Sequence, residues 1–520
     1  MPSRVLHVNK TTGVIYVYES TSYWDKIKKQ PRSKQICIGK LDPISGKFIP
    51  SKRLNPIQAA VRDPAVTATA EIIGPAILLD PITEQLGLKE LLKSCFPNFY
   101  QQILIMAYYL VSYGGPLCHC STWCKSHAPL FEDCLTSQRI SEILNSISID
   151  GKQTFFNKWI KKTAEKDHLC YDITSISSYS ELNEYIKYGY NRDKEDLPQL
   201  NLAMFYGQKS CLPVYFHRLP GNISDVSTLC NLTKTFKALE ISYLEFVMDK
   251  GFYSKKNIND LLVTKNKFII SIPLNNKWLQ QAIDKVYDTI QGPEAYRKTD
   301  DQIVYVETSI YPWGEKNYRC YLHVYYNPHT RAEAQDSFNH ELWQYKKELE
   351  SGQLIKDHQE AYKTFFVVQT TPKRGRKIFY NTEVIKQYIK RYTGFYAILT
   401  NAIKDPIEAL QIYRNKDVVE KSFDDIKNQL DMKRLRVHKS PAADGRLFIE
   451  FIALVYFSAL RKEMRRTGLI ERYTVREMLH EMEPITKIKY AGKHRQIITE
   501  LSKLQKEILE KLEIKLPIST

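Results

Sequence analysis

The chain is expected to be an α/β protein whose centre is a mixed sheet flanked by helices. Two observations carry this. Five short apolar runs, at residues 169–173, 200–206, 213–217, 244–248 and 268–272, are bounded by Gly, Asn and Asp, as buried or half-buried strands are. On either side of them, apolar residues recur at steps of three and four, the period of a helix that packs by one face. Helical patterns also fill the gaps at 225–239 and 254–264, so that three strands are followed by helix, strand and helix.

Taken in order, residues 1–58 read as a basic, β-rich module and a candidate DNA-binding unit. Its β-rich runs at 13–18 and 35–39 enclose Lys26, Lys28, Lys29, Arg32 and Lys34. That charge run suits a phosphate backbone, and it equally suits a solvated loop. Residues 59–160 read as a helical domain, a second candidate for DNA binding, and 161–275 as the first part of the sheet-bearing core. Residues 276–400 look like a β-rich insertion, with a hairpin at 303–310 and 317–326 that turns at Trp313-Gly314-Glu315-Lys316. A single strong helix is expected over 406–432 and another over 447–465, completing the core at 401–470. Residues 471–520 are expected to be a helical C-terminal tail, amphipathic and charged over 495–514.

The bulk composition narrows the partners. A formal charge of +17 attracts polyanions, either nucleic acid or an anionic membrane surface. The longest apolar stretches, 102–117 and 447–460, fall short of the roughly 20 residues a membrane-spanning helix requires. Residues 1–10 carry no secretory pattern, and ten scattered cysteines suit reduced thiols, so a cytoplasmic compartment and a nucleic-acid partner are expected. Cys118, His119, Cys120, Cys124, His127 and Cys134 include ligand types for zinc, but they lack paired CxxC spacing and follow an apolar helix and a Gly-Gly-Pro break, where thiols commonly pack as small buried residues.

Three carboxylates stand out. Asp172 follows the apolar run Leu169-Cys170-Tyr171, and Asp249 ends the run at 244–248 ahead of Lys250-Gly251-Phe252, where Gly251 permits a sharp exit. A carboxylate in a sheet is costly unless it is paired or binds metal. Glu420 shares a helix face with Tyr413, Lys416 and Lys427, beside the apolar stripe Val419, Phe423, Ile426 and Leu430. Singly, each also reads as a cap, a turn residue or a solvated helix charge.

Together these residues resemble bacterial insertion-sequence transposases of the DDE class, in the subgroup whose third carboxylate lies in a Y-x2-R-x3-E-x6-K signature. Here the signature reads Tyr413-x2-Lys416-x3-Glu420-x6-Lys427, with Asp172-Ile173-Thr174 and Asp249-Lys250-Gly251-Phe252 as the first and second carboxylate motifs. The segments YWDKIKKQPRSK and CIGKLDP are similar to N-terminal regions of one subgroup. Lys416 departs from the pattern: it keeps the charge of the usual Arg and loses its planar bidentate fork.

The resemblance implies an RNase H-like core interrupted by a β-rich insertion, and a catalytic, metal-binding triad of Asp172, Asp249 and Glu420. It implies two Mg²⁺ ions, or Mn²⁺ in their place, which accept oxygen ligands. Tyr413, Lys416 and Lys427 would bind terminal phosphates, and Trp313 would either stack on an extruded base or pack in the fold. The expected activity is cleavage of the ends of an insertion sequence and joining of the 3′-hydroxyls to target DNA, by a homodimer on double-stranded DNA in the cytoplasm and nucleoid. A catalytically inactive, transposase-derived repressor and an RNase H-like nuclease without strand transfer are the alternatives.

Overall fold

The computed structural model describes residues 3–26, 28–43, 45–51, 68–127, 135–163, 168–180, 183–223, 226–229, 244–298, 303–371, 375–388, 391–490 and 496–516. The chain divides into two compact units. One takes in residues 1–70, 487–499 and 518–520, the other 71–486 and 500–517.

The first unit carries a four-stranded antiparallel sheet in simple up-and-down order, β1 (Ser3–Val8), β2 (Ile15–Asp25), β3 (Gln30–Leu41) and β4 (Phe48–Pro50). Val17, Tyr18 and Cys37 supply its partly buried centre, and a bulge falls at Val17/Tyr18. A further strand, β5 (Ala68–Ile72), lies beyond the undescribed residues 52–67.

The second unit is organised around a nine-stranded mixed sheet. Its first five strands are β6 (Leu169–Ser177), β7 (Gln199–Gly207), β8 (Pro213–Pro220), β9 (Glu245–Met248) and β10 (Lys267–Ser271). In space they run 8-7-6-9-10: β6, β7 and β8 are antiparallel neighbours, while β6, β9 and β10 are parallel. Every residue of β7 and β9 is buried, so these strands are largely apolar rather than alternating, with Gln199, Asn201 and Glu245 as their buried polar members. This is the RNase H-like mixed sheet. Of the helix expected at 225–239, only residues 226–229 are described, and they are helical; the rest lies outside the described residues.

The insertion extends that sheet. β11 (Tyr296–Lys298), β12 (Ile303–Trp313) and β13 (Tyr318–Tyr326) are joined to it through β16 (Phe395–Thr400), which pairs with β13 on one side and β10 on the other. Between β13 and β16, a 24-residue helix Pro328–Ser351 packs Phe338, Leu342 and Leu349 against Tyr362, Phe365 and Phe366. The hairpin β14 (Phe366–Thr371) and β15 (Gly375–Tyr380) completes this satellite.

The helices at Gly74–Gln85, Tyr100–Ser112, Ser137–Ser146 and Ile149–Thr163 gather about the 27-residue helix Ser440–Arg466. Phe448 and Phe451 of that helix meet Phe155 and Phe156, and Phe156 in turn meets Tyr215 and Phe216 of β8. Thr83 bridges the Tyr108 and Tyr456 hydroxyls at 2.7 and 2.6 Å, satisfying three buried polar groups together. No single described helix is long and apolar enough to cross a membrane.

The continuous helix expected over 406–432 is divided. Helix Pro406–Arg414 starts from Asp405, whose carboxylate accepts from the Ile407 and Glu408 amides. The ladder then tightens, with Lys416 N bonded to Tyr413 O and Val419 N to Lys416 O, before helix Asp417–Asp424. It widens again into a π turn, Asp425–Gln429, closed by Leu430 N on Asp425 O. Apolar periodicity could not reveal this, because a one-residue change of ladder leaves the apolar stripe nearly in phase.

Candidate active site

Sheet register brings two of the three carboxylates together. Tyr171 of β6 lies beside Met248, the last residue of β9, in the parallel pair, so the next residues follow abreast, Asp172 within β6 and Asp249 just past the end of β9. Asp172 is in the middle of β6, which runs on to Ser177, four residues beyond the expected run. Asp249 leaves β9 through a single 3₁₀ turn, Lys250–Phe252, in which Gly251 keeps an ordinary negative φ; the turn does not use the left-handed freedom glycine offers.

Helix Asp417–Asp424 delivers Glu420 to the same face of the sheet. Asp172 is paired directly across β7 with Met204, so the two side chains share a face. Ser422, two residues after Glu420, lies 3.8 Å from the Met204 sulfur, and Val419, Ser422 and Phe423 form the buried side of the helix. Glu420 stands at the border of that buried side, next to Phe423 one turn on, with its side chain 55% exposed.

The polar partners tie this arrangement together. The Tyr413 hydroxyl donates to Asp249 Oδ1 at 2.6 Å, and the Lys416 ammonium donates to Glu420 Oε1 at 2.6 Å. Burial opposes the charge on Lys416, but Glu420, Asp249 and Asp172 outweigh it and hold its pKa above the usual lysine value. Burial pushes the Asp172 carboxyl up to about 6, against the pull of the Ile173 amide, Arg192 and Lys416. Tyr413 is held above the ordinary phenol range by burial first and by Asp249 second. Lys416 thus bonds Glu420 directly and feels the charges of Asp249 and Asp172.

Lys427 is brought close to the site in sequence but is engaged elsewhere: its ammonium contacts both oxygens of Asp193 at 2.8 Å. Trp313 ends β12 and is 5% exposed, with Nε1 donating to Asn259 Oδ1 at 2.7 Å and its ring edge-on to Trp278. In this structure it packs in the fold.

All three candidate ligands offer carboxylate oxygens, the donor type that hard divalent ions prefer, and no His or Cys is needed. Among the described residues, no three His, Cys, Asp or Glu side chains stand close enough to share one ion in this arrangement. In the cysteine-rich segment, Cys120 and Cys124 Sγ are 3.9 Å apart, and His127 contacts Glu483 and stacks on Trp123. Cys134 lies outside the described residues.

The transposase DDE domain family matches residues 163–456, more than half of the 520-residue chain. The chain belongs to that family. The match begins just before β6 and ends within helix Ser440–Arg466, and so spans the sheet, the insertion and all three carboxylates of this transposase. Solved structures similar to it include a piggyBac transposase synaptic complex with hairpin DNA, at 9% identity and a TM-score of 0.35, covering 79% of this chain and 76% of that one. No curated protein matches.

Several transposase residues near the site were not singled out from sequence. Arg192 and Asp193 lie between β6 and β7, the first acting electrostatically on Asp172 and the second holding Lys427. Asp425, buried at the start of the π turn, makes two contacts with the Arg461 guanidinium. The charged string Asn191-Arg192-Asp193-Lys194 between two apolar strands was the available signal.

Proposed function

We propose that this chain cleaves the ends of an insertion sequence and joins the freed 3′-hydroxyls to target DNA, using Asp172, Asp249 and Glu420 as its metal-binding, catalytic carboxylates. The observations that support this reading are the strand register that sets Asp172 beside Asp249, the Tyr413 bond to Asp249 and the Lys416 bond to Glu420, in a DDE-family chain. Divalent ions, Mg²⁺ or Mn²⁺, held by the three carboxylates would supply the positive charge that phosphoryl transfer at DNA requires.

The chain's own residues then have distinct tasks. Tyr413 fixes the orientation of Asp249 through its 2.6 Å hydrogen bond. Lys416 keeps Glu420 in place until ions arrive, and afterwards offers its ammonium to a DNA phosphate. Lys427 exchanges Asp193 for a second phosphate. The buried setting of Asp172 keeps bulk water away and strengthens every charge interaction in the site. Catalysis rests on positioning and charge neutralisation, with no covalent enzyme intermediate. Two DNA ends must be held together, so a homodimer on double-stranded DNA is the working assembly.

Purified protein, a supercoiled plasmid bearing the DNA that flanks its gene, and Mg²⁺ test the proposal. Released element is expected with the natural chain and not with Asp172→Ala, Asp249→Ala or Glu420→Ala; cutting retained by any of the three refutes the triad. Products joined into a second plasmid are expected as well, and cutting without them would leave a nuclease.

A further inference from the structure

The β2–β3 hairpin outruns its own sheet. β1 pairs with β2 only up to Ser20, and β4 pairs with β3 only at Gly39–Leu41, whereas β2 and β3 stay paired from Tyr16↔Lys40 out to Asp25↔Gln30. From Thr21 to Lys34 the described chain is therefore a two-stranded ribbon with no third strand beside it among the described residues. Thr21, Ser22, Tyr23 and Trp24 are all exposed, and so are Gln30 to Ile36, which means both faces meet solvent. Five residue pairs give a ribbon about 17 Å long.

The side chains sort by face. Across the ladder, Thr21 lies opposite Lys34, Tyr23 opposite Arg32 and Asp25 opposite Gln30, so these six share one face. The other face carries Ser22, Ser33 and the pair Trp24 and Pro31. Asp25 accepts from the Lys28 amide at 3.0 Å and lies 3.7 Å from Arg32 Nε, tying the turn to the root of the Arg32 guanidinium. Lys26, Lys28 and Lys29 crowd the turn, so over 21–34 five cations face one anion.

A ribbon bare on both faces, polar along one of them and cationic at its tip fits a polyanion groove better than it fits a protein surface. The major groove of DNA is about 12 Å wide and admits a two-stranded β-ribbon. Arg pairs in two-point fashion with guanine O6 and N7, and Gln with adenine N6 and N7. We propose that this ribbon enters the major groove of double-stranded DNA, where Gln30 and Arg32 read purine edges and Lys26, Lys28, Lys29 and Lys34 neutralise the flanking phosphates. The inference rests on the proposed function for its choice of DNA as partner and adds the surface that selects sequence. A 17 Å ribbon spans about five base pairs.

The test uses the full-length chain in EDTA, so that binding is read without cleavage. From a library of random 20-base-pair duplexes, the natural chain is expected to enrich a purine-containing motif. The double variant Gln30→Ala, Arg32→Ala is expected to lose that enrichment while still binding unselected duplex. Lys28→Ala with Lys29→Ala should keep the motif and flatten the slope of log affinity against log salt by about 1.8, since each phosphate contact contributes about 0.9. Replacing guanine by 7-deazaguanine in the enriched duplex should weaken the natural chain and leave the Gln30, Arg32 variant unchanged. The proposal is overturned if the natural chain enriches no motif, or if the double variant enriches the same one. A chain that fails to cut with Mg²⁺ but enriches the motif through Arg32 would sink the proposed activity and leave this inference standing.

Discussion

The Tyr413 hydroxyl donates a 2.6 Å hydrogen bond to Asp249 across 164 residues of chain, joining a helix end to a strand end. Such a bond orients a carboxylate that would otherwise rotate, and losing a partner of this kind typically costs metal affinity 10- to 100-fold. Tyr413→Phe keeps the ring and removes only the donor. The Mg²⁺ concentration for half-maximal end cleavage should rise roughly tenfold. A titration curve that superimposes on that of the natural chain would show that the hydroxyl has no such part.

Asp172 links the site to stability. Its pKa is pushed up from 3.8 to about 6, mainly by burial, so the fold disfavours the ionised form. Between those values the native state holds the proton more tightly than the unfolded chain, and stability therefore falls as pH rises through the window. Above pH 6 the cost is complete, on the order of 3 kcal/mol. Asp172→Asn, unfolded by urea in EDTA, should gain up to about this amount at pH 8 and nothing at pH 3.5. An equal effect at both pH values would remove the titration argument.

Lys416 stands where the Y-x2-R-x3-E-x6-K signature has Arg, and it is bonded to Glu420 at 2.6 Å. Removing one partner of a charged hydrogen bond costs about 1.5–3 kcal/mol. Lys416→Ala should therefore bind a duplex carrying the element's end roughly tenfold more weakly in Mg²⁺. Lys416→Arg should bind at least as well as the natural chain, because the fork adds a second contact to a phosphate. Fluorescence anisotropy with a labelled end duplex measures both; equal affinity for Ala and Lys would exclude a phosphate role.

Asp193 holds the Lys427 ammonium through both oxygens at 2.8 Å, and under the proposed function a DNA phosphate takes its place. With Asp193→Asn the lysine is available to a phosphate at no exchange cost. End-duplex affinity at low salt should rise, and the salt slope should steepen by about 0.9, one more counterion released. An unchanged slope would place Lys427 outside the DNA contact.

Gly445 permits a close helix crossing. A Cβ added there would lie 2.1 Å from the Leu144 carbonyl oxygen, a backbone atom that cannot turn aside. Gly445→Ala should destabilise the chain by about 1–3 kcal/mol, seen as a lower urea midpoint with unchanged slope.

Much of this architecture was legible because its signals are local. The runs at 169–173, 200–206, 213–217, 244–248 and 268–272 are strands because buried neighbours on both faces demand continuous apolar sequence, and each lies within or overlaps an observed strand. Asp172 and Asp249 were visible as carboxylates that interrupt such runs. What escaped was non-local. Nothing in the hairpin at 303–326 announces that β16 will bridge it to β10, nor that Trp313 will bond to Asn259, 54 residues away. The tightening at Lys416 and the π turn at Asp425 follow from hydrogen-bond bookkeeping and a buried Arg461 contact that a helical periodicity averages away.

The way β16 knits the insertion into the core sheet also bears on what can be removed from such a chain. An insertion that folds as an appendage can be cut out and its ends rejoined. Here, excision of β11 to β13 would strip the outer partner from β16, whose residues are nearly all buried, and leave a row of unpaired amides and carbonyls along an apolar strand. Such an edge invites pairing with another chain. A version of this chain without the hairpin is therefore expected to aggregate unless a second change caps that edge.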